Sequence, residues 1–262
     1  GVGVLVFVRG LGEGHQDRRA AAHRQFTEAA RPGATDHEIG VLQPIRAIAR
    51  LCRARGIRFH CDGAQAVGHI PLQPAELGID LLSISGHKLY GPKGIGALVV
   101  AADVRLAPQL HGGSQERGLR AGSLPLPLIV GLAKALELAL ADQTVRAERL
   151  AALRDRLWQR LQTLGGIHRN GAASPRLAHN LNIWIEEVDG AGLQRALRPS
   201  LALSSGSACS SGEPSHVLQA LGLSRQQAAT ALRFGLGRRT SAAEIDTAAE
   251  LVSAAVTELR HR

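Results

Sequence analysis

Lys88 stands in the run Ser83-Ile84-Ser85-Gly86-His87-Lys88-Leu89-Tyr90-Gly91-Pro92-Lys93-Gly94. An apolar stretch, Ile79 to Ile84 with one Asp, precedes it, and a second, Ile95 to Val100, follows. Both stretches read as buried strands, with Gly and Pro punctuating the loop between them. A lysine at a strand end of an α/β sheet lies where such sheets bind ligands. Withdrawn from water, its amine loses basicity and becomes a nucleophile able to form a Schiff base with an aldehyde. Ser85 and His87 set a hydroxyl and an imidazole beside it, donors suited to a phosphate. The plainer alternative is a surface lysine in a Gly-rich turn. The chain holds three lysines, Lys88, Lys93 and Lys134, and Lys88 is the one embedded in a pattern.

The other half of that pattern is Phe59-His60-Cys61-Asp62-Gly63-Ala64-Gln65-Ala66-Val67-Gly68. Arg58 to Cys61 reads as a strand that ends in Asp62. An ionised Asp at a strand end keeps a pyridinium nitrogen protonated, so that the ring acts as an electron sink. A strand ending in Asp, followed by a strand ending in Ser-x-His-Lys, resembles the fold-type I pyridoxal-phosphate (PLP) enzymes. From about Glu38 to the C-terminus the sequence closely resembles cysteine desulfurases of the NifS/IscS kind, within the class-V aminotransferase superfamily.

That resemblance implies that Lys88 carries PLP covalently. Asp62 would face the pyridine nitrogen, and Gln65 and His37 the ring hydroxyl oxygen. The family usually has Asn where this chain has His37, and His donates with a different reach. Ser85 and His87 would bind the phosphate, with one more hydroxyl from the partner subunit of a homodimer at the position of Ser123, where Thr is more usual. Cys209 lies in Ser204-Ser205-Gly206-Ser207-Ala208-Cys209-Ser210-Ser211-Gly212-Glu213-Pro214-Ser215-His216, among small residues that suit a mobile loop. An exposed loop thiol can form a thiolate and attack. The stretch is similar to the long catalytic loop of the desulfurases, although a little shorter between Ser211 and Glu213. Arg233, in Ala231-Leu232-Arg233-Phe234-Gly235, offers a planar fork for an α-carboxylate, the role this arginine has in the family.

The implied activity is removal of sulfur from L-cysteine, giving L-alanine and a persulfide on Cys209 that passes to an acceptor or scaffold protein. Two alternatives stay open. One is another class-V PLP enzyme, a selenocysteine lyase or an aminotransferase, although the Cys209 loop argues against the latter. The other is an inactive remnant acting as a dimerising or scaffold-binding module. Residues 1–34 depart from the family pattern, and the family's main phosphate loop and ring-stacking histidine have no counterpart here. An N-terminally truncated or frame-altered sequence is the expectation.

Composition bounds these readings. Aromatic residues make up 3% of the chain, so its core must rest on Leu, Ala, Val and Ile. The formal charge of +9 raises the question of nucleic acid. The arginines are spread along the chain with no basic run interleaved with aromatics, so direct nucleic-acid binding is not expected. The three cysteines, Cys52, Cys61 and Cys209, have neither disulfide nor metal spacing, which fits a reduced, cytoplasmic protein with no metal site. Val2 to Val8 is too short for a membrane span and lacks the basic start of a signal peptide.

The elements that must position these residues follow from periodicity. Ile45, Ile48, Ala49 and Cys52 recur at helical spacing, and Gly56 suits the C-cap before a strand over Ile57–Cys61. A strand, a crossover and the Lys88 strand imply parallel pairing with a right-handed turn. Pro125 and Pro127 lead into an apolar helix, Leu128 to Leu140, and Asp142 starts another that runs to about Leu164. Beyond it a strand over Leu181–Ile185, a helix over Gly190–Leu197, a short strand over Leu201–Leu203, helices near Val217–Leu221 and Arg225–Ala229, a strand over Leu232–Gly235 and a final helix over Ala242–Leu259 are expected. A helix over Asp17–Ala30 has weak support. The fold expected is α/β, the PLP-dependent transferase fold type I. It would comprise an atypical segment 1–34, an incomplete, mainly parallel sheet of the large domain in 35–140, and a C-terminal α+β small domain in 141–262.

Overall fold

The computed structural model describes residues 2–8, 29–30, 33–204 and 215–261. The chain divides into two units. The first takes its described residues from Gly1–Ala34 and Gln43–Gln143, the second from Thr35–Leu42 and Thr144–Arg262.

The sheet of the first unit has the order β1-β5-β4-β3-β2. β1 is Val2–Val8, β2 Ala29–Ala30, β3 Arg58–Asp62, β4 Leu81–Ser85 and β5 Ile95–Ala101. β3 runs parallel to both β2 and β4, and the crossover between β3 and β4 includes a short helix, α2 (Pro74–Leu77). β5 runs antiparallel to β4 and to β1. The β4–β5 connection, residues 86–94, is shorter than the dozen or so residues a parallel crossover needs. The described sheet is therefore mixed rather than mainly parallel. Of the helix expected over Asp17–Ala30, only Ala29–Ala30 lies among the described residues, and it is the strand β2.

The amphipathic helix α1 (Ile45–Ala54) buries Ile45, Ala49 and Cys52, and Gly56 takes the positive φ of 65° that ends it. These side chains join Phe59, Cys61, Val67, Ile79, Leu82, Leu89, Ile95 and Leu132 in the first core. Leu132 belongs to α3 (Leu126–Ala141), which starts before Pro127 because proline is tolerated in a first helical turn.

The second unit is built on the antiparallel sheet β6-β7-β8, where β6 is Ile167–Arg169, β7 Asn180–Ile185 and β8 Leu232–Gly235. Helices α4 (Gln143–Gln162), α5 (Gly190–Leu197), α6 (His216–Ala220), α7 (Arg225–Ala229) and α8 (Ala242–Arg260) complete it. β7 sorts its side chains with period two. Leu181, Ile183 and Ile185 are fully buried with Leu157, Leu161, Leu193, Leu232 and Val252. Asn180 and Asn182 alternate with them, and both amides donate to the Glu38 carbonyl, at 3.2 and 3.1 Å. Leu177 N–H reaches the Gly40 carbonyl at 2.8 Å, and Arg176 Nη2 the Ile39 carbonyl at 2.7 Å. These bonds explain a correction. Residues 35–42, read from sequence as part of the large domain, satisfy their backbone groups in the second unit. Leu201–Leu203, read as a strand, is irregular, and the pairing comes one residue later as a bridge between Ser204 and Arg233.

α4 and α8 are laced together on their outer faces. Arg156 grips Asp246 with two bonds of 2.7 Å, and Arg160 reaches Asp246 at 2.8 Å and Glu250 at 3.1 Å. The Arg156 hydrogen bond is the main cause that holds the Asp246 carboxyl down at about 2. A depressed acid stabilises the fold above its unfolded value, roughly 3.9, and that contribution is lost as pH falls through the folded value. Asp246→Asn is thus expected to lower Tm slightly at pH 7, by on the order of 1–3 °C. The difference should shrink between pH 4 and 2, which thermal melts across that window check. Among the described residues no helix is long and apolar enough to cross a membrane.

Candidate active site

β3 and β4 are parallel neighbours, so their C-terminal ends lie at one edge of the sheet. Asp62 pairs in register with Ser83, two residues before Ser85. The Asp62 backbone is fixed by the Ala34 N–H donating to its carbonyl at 2.8 Å. Its carboxylate Oδ1 accepts the Ala64 N–H at 2.9 Å, which turns the chain sharply as it leaves the strand. Gly63 suits that turn, since a Cβ there would stand 2.6 Å from Leu82 Cδ1 and 3.1 Å from the Ser83 carbonyl oxygen and would force a neighbour to shift. Ala66 and Val67 N–H groups return to the Gly63 carbonyl, which places half-buried Gln65 inside the turn.

β4 passes directly into a 3-10 turn, Gly86–Leu89, that closes on Tyr90 with a left-handed φ of 61°. Gly86 and Leu89 are buried and carry the turn, so His87 and Lys88 face outward. Ser85 Oγ and His87 Nδ1 lie 3.0 Å apart and form a hydrogen-bonded pair. Beneath them His60 Nε2 and Ser83 Oγ are 3.2 Å apart, a pair the sequence reading did not single out. Lys88 is exposed, so burial within the first unit does not supply the desolvation expected of its amine.

Asp62, Gln65, Ser85, His87 and Lys88 thus share one sheet edge. Together they offer a carboxylate, an amide, a hydroxyl with an imidazole, and a primary amine. That donor set fits PLP: an anion for the ring nitrogen, hydrogen-bond donors for the phosphate, and an amine for the aldehyde. Ser123 is exposed on the loop before α3, and among the described residues it makes no hydrogen bond to Ser85 or His87. The same loop holds two consecutive residues, Glu116 and Arg117, at φ of 50° and 58°. Left-handed conformations at non-glycine residues cost about 1 kcal/mol or more each and gather where function over-determines the backbone.

In the second unit Arg233 projects from β8. Its Nη1 donates to the His37 carbonyl at 3.0 Å and its Nη2 to Ser204 Oγ at 2.9 Å. These bonds use two of the five donors a guanidinium carries. His37 is exposed in the turn 37–39. Cys209 and its loop lie outside the described residues. Cys52 and Cys61 are buried and free. Burial, and then the neighbouring Asp62 charge, push the Cys61 thiol up to about 12, so it stays protonated and unreactive at neutral pH. Two residues around Arg233 were not read from sequence as functional, Ser204 and Glu38.

Comparison with known proteins places this geometry. The profile of the aminotransferase class-V family matches residues 24–247, beginning upstream of the Glu38 at which the motifs first became legible. The cysteine desulfurase IscS of Pasteurella multocida is 50% identical over 229 residues, 86% of this chain and 56% of that protein. The IscS of Actinobacillus succinogenes is 48% identical over 248 residues, 93% of this chain and 61% of that protein. A solved NifS-like protein superposes with a TM-score of 0.80 at 30% identity, covering 88% of this chain and 61% of that one. The chain therefore spans about 56–61% of the length of these relatives. With the profile spanning most of the sequence and the strand-end constellation in place, this chain belongs to the class-V aminotransferase family, whose members of this kind use PLP.

Proposed function

We propose that the protein is a cysteine desulfurase, which converts L-cysteine to L-alanine and holds the released sulfur as a persulfide on Cys209. The observation that carries this reading is the gathering of Asp62, Ser85, His87 and Lys88 at the adjacent ends of two parallel strands. The near-50% identity to proteins named cysteine desulfurase supports it.

When bound, PLP supplies an electron sink that lets the substrate's α-proton leave. Ser85 and His87 hold the phosphate, Asp62 holds the ring nitrogen protonated, and Gln65 and His37 serve the ring hydroxyl. Lys88 would hold the aldehyde and, once the substrate's amine has displaced it there, its free Nζ would take the α-proton. Arg233 binds the substrate carboxylate. The Cys209 thiolate attacks the substrate sulfur, the carbon–sulfur pair stays with the carbon skeleton, and that skeleton takes a proton and leaves as alanine. A homodimer in which Ser123 serves the partner's phosphate site fits the exposed apolar residues at the start of α3, Leu126 and Val130, 64% and 65% exposed. A protein acceptor would then collect the sulfur in the cytoplasm, a reducing setting with which the free thiols of Cys52 and Cys61 agree.

The test is direct. The purified protein is mixed with PLP and L-cysteine, and alanine and protein-bound sulfur are followed. One alanine per persulfide, with the added 32 Da on the peptide that contains Cys209, is expected. Absence of alanine, or sulfur located on Cys52 or Cys61 instead, would refute the reading.

A further inference from the structure

β3 sorts its side chains between two faces. Phe59 and Cys61 are wholly buried in the first core, whereas His60 and Asp62 are half-buried on the opposite face, two residues apart along the strand. In the parallel register His60 stands across from Leu81 and Asp62 across from Ser83, so Ser83 and Ser85 share the face of His60 and Asp62. The same rows continue into Val100, Leu98 and Gly96 of β5. One part of this face is apolar, with Leu81 and Val100 buried against Leu98, Val104, Leu106 and Leu119. The part toward the C-terminal ends of β3 and β4 is polar. There His60 Nε2 and Ser83 Oγ lie 3.2 Å apart. Ser83 also meets the Asp62 turn through its backbone, its carbonyl accepting the Gly63 N–H at 2.9 Å.

Holding the strands together does not call for this pair. The backbone ladder from His60 to Asp62 already sets the register. On a half-buried pleated surface, valine or isoleucine at 60 and 83 would pack better than an imidazole and a hydroxyl. What the polar pair adds is a flank of hydrogen-bonding groups beside the Asp62 carboxylate. A carboxylate with apolar neighbours alone turns toward water, because burying it unpaired is costly. With Ser83 across from it, His60 before it and the Ala64 N–H on Oδ1, it is kept at the sheet edge.

We infer that His60 is a positioning residue for the cofactor's ring: bonded to Ser83, it gives Asp62 the fixed polar flank that keeps its carboxylate facing the pyridine nitrogen. The inference rests on the reading of Asp62 as the partner of that nitrogen. All the residues it uses lie on β3, β4 and the turn between Asp62 and Ala64, so it needs nothing from the second unit. The attraction between a carboxylate and a protonated ring nitrogen weakens as the two separate and as water enters between them. Loss of the flank therefore lowers the proton affinity of the ring nitrogen, and with it the strength of the electron sink.

NMR of protein loaded with PLP labelled at the ring nitrogen reads that proton directly, without reference to turnover. At one fixed, mildly alkaline pH, His60→Ala and Ser83→Ala should each lower the ratio of protonated to unprotonated ring nitrogen about tenfold, the equivalent of roughly one pKa unit. His60→Gln, which offers both an N–H and a carbonyl, and Ser83→Thr, which keeps the hydroxyl, should stay within about 2-fold of the unmodified protein. The double variant His60→Val with Ser83→Val separates positioning from mere packing. Its Tm should equal or exceed that of the unmodified protein, while its ratio falls as in the alanine variants. The other titratable groups on the elements around Asp62, namely Cys61, His87, Lys88, Arg105, His111 and Glu116, are the same in every variant, so the differences report the pair. Should His60→Ala fail to fold, Ser83→Ala and Ser83→Thr carry the same comparison. An unchanged ratio in the alanine variants, an equal loss in Gln and Thr, or a ratio preserved in the double valine would overturn the inference. If the unmodified protein binds PLP with an unprotonated ring nitrogen, or does not bind it, the reading of Asp62 itself falls, and this inference with it.

Discussion

Lys88→Ala in the PLP-loaded protein should lower alanine release from L-cysteine by at least about 10³-fold, the upper range of a lost acid–base group. The chain offers no replacement. Lys93 and Lys134 are the other two lysines, the first in the turn after the 3-10 helix and the second on α3 in an ion pair with Glu137 at 2.6 Å. The groups that would retain the cofactor, Asp62, Ser85 and His87, are untouched by this change. Cofactor binding should therefore persist while its covalent attachment and the proton transfer disappear. Absorbance distinguishes the attached from the free aldehyde, and added methylamine should restore part of the rate if the missing function is a primary amine. Retention of more than a tenth of the activity would rule out Lys88 as the base.

The next largest effect falls on Arg233. Arg233→Ala should reduce kcat/KM for L-cysteine about 100-fold, or ~2.7 kcal/mol of lost binding in the transition state. Arg233→Lys should recover little, because an ammonium cannot reproduce a planar fork. The substitution also removes the bonds to His37 and Ser204, so the comparison must include Ser204→Ala. A rise in KM in Arg233→Ala beyond that in Ser204→Ala is the share due to the substrate carboxylate. Equal effects in the two variants would assign Arg233 to holding the chain and nothing more.

Much of this arrangement was legible in the residues, and the reasons are local. Gly190–Leu197 and Leu232–Gly235 fall at the limits their patterns predict, because Asp189 caps the first and a short apolar strand bounded by Gly forms the second. The strand-end Asp62 and the Ser85-His87-Lys88 turn were readable because both depend on neighbours in sequence. What was not legible depends on partners far away. The destination of residues 35–42 is decided by Asn180 and Asn182, and polar residues on a strand do not announce what they will bind. Val2–Val8 was read for membrane and targeting signals and is instead a strand whose partner, β5, lies about 95 residues on. Ile167–Arg169 escaped notice because three residues are too few to show a period. The exposure of Lys88 agrees with the plainer alternative, a surface lysine in a Gly-rich turn, because the 3-10 turn sends His87 and Lys88 outward in a way that composition does not encode.

The placement of residues 35–42 bears on how the protein is made. Their partners in the second unit, Arg176, Asn180 and Asn182, lie 137 to 144 positions downstream. At a translation rate of about 5–20 residues per second, the turn waits roughly 7–29 s before those partners emerge from the ribosome. Until then the Glu38 and Ile39 carbonyls remain in water, and the second half of the protein cannot complete itself as an autonomous translation product. Nascent chains stalled before Asn182 would leave this early turn unprotected, and protection should appear abruptly once that residue has cleared the exit tunnel.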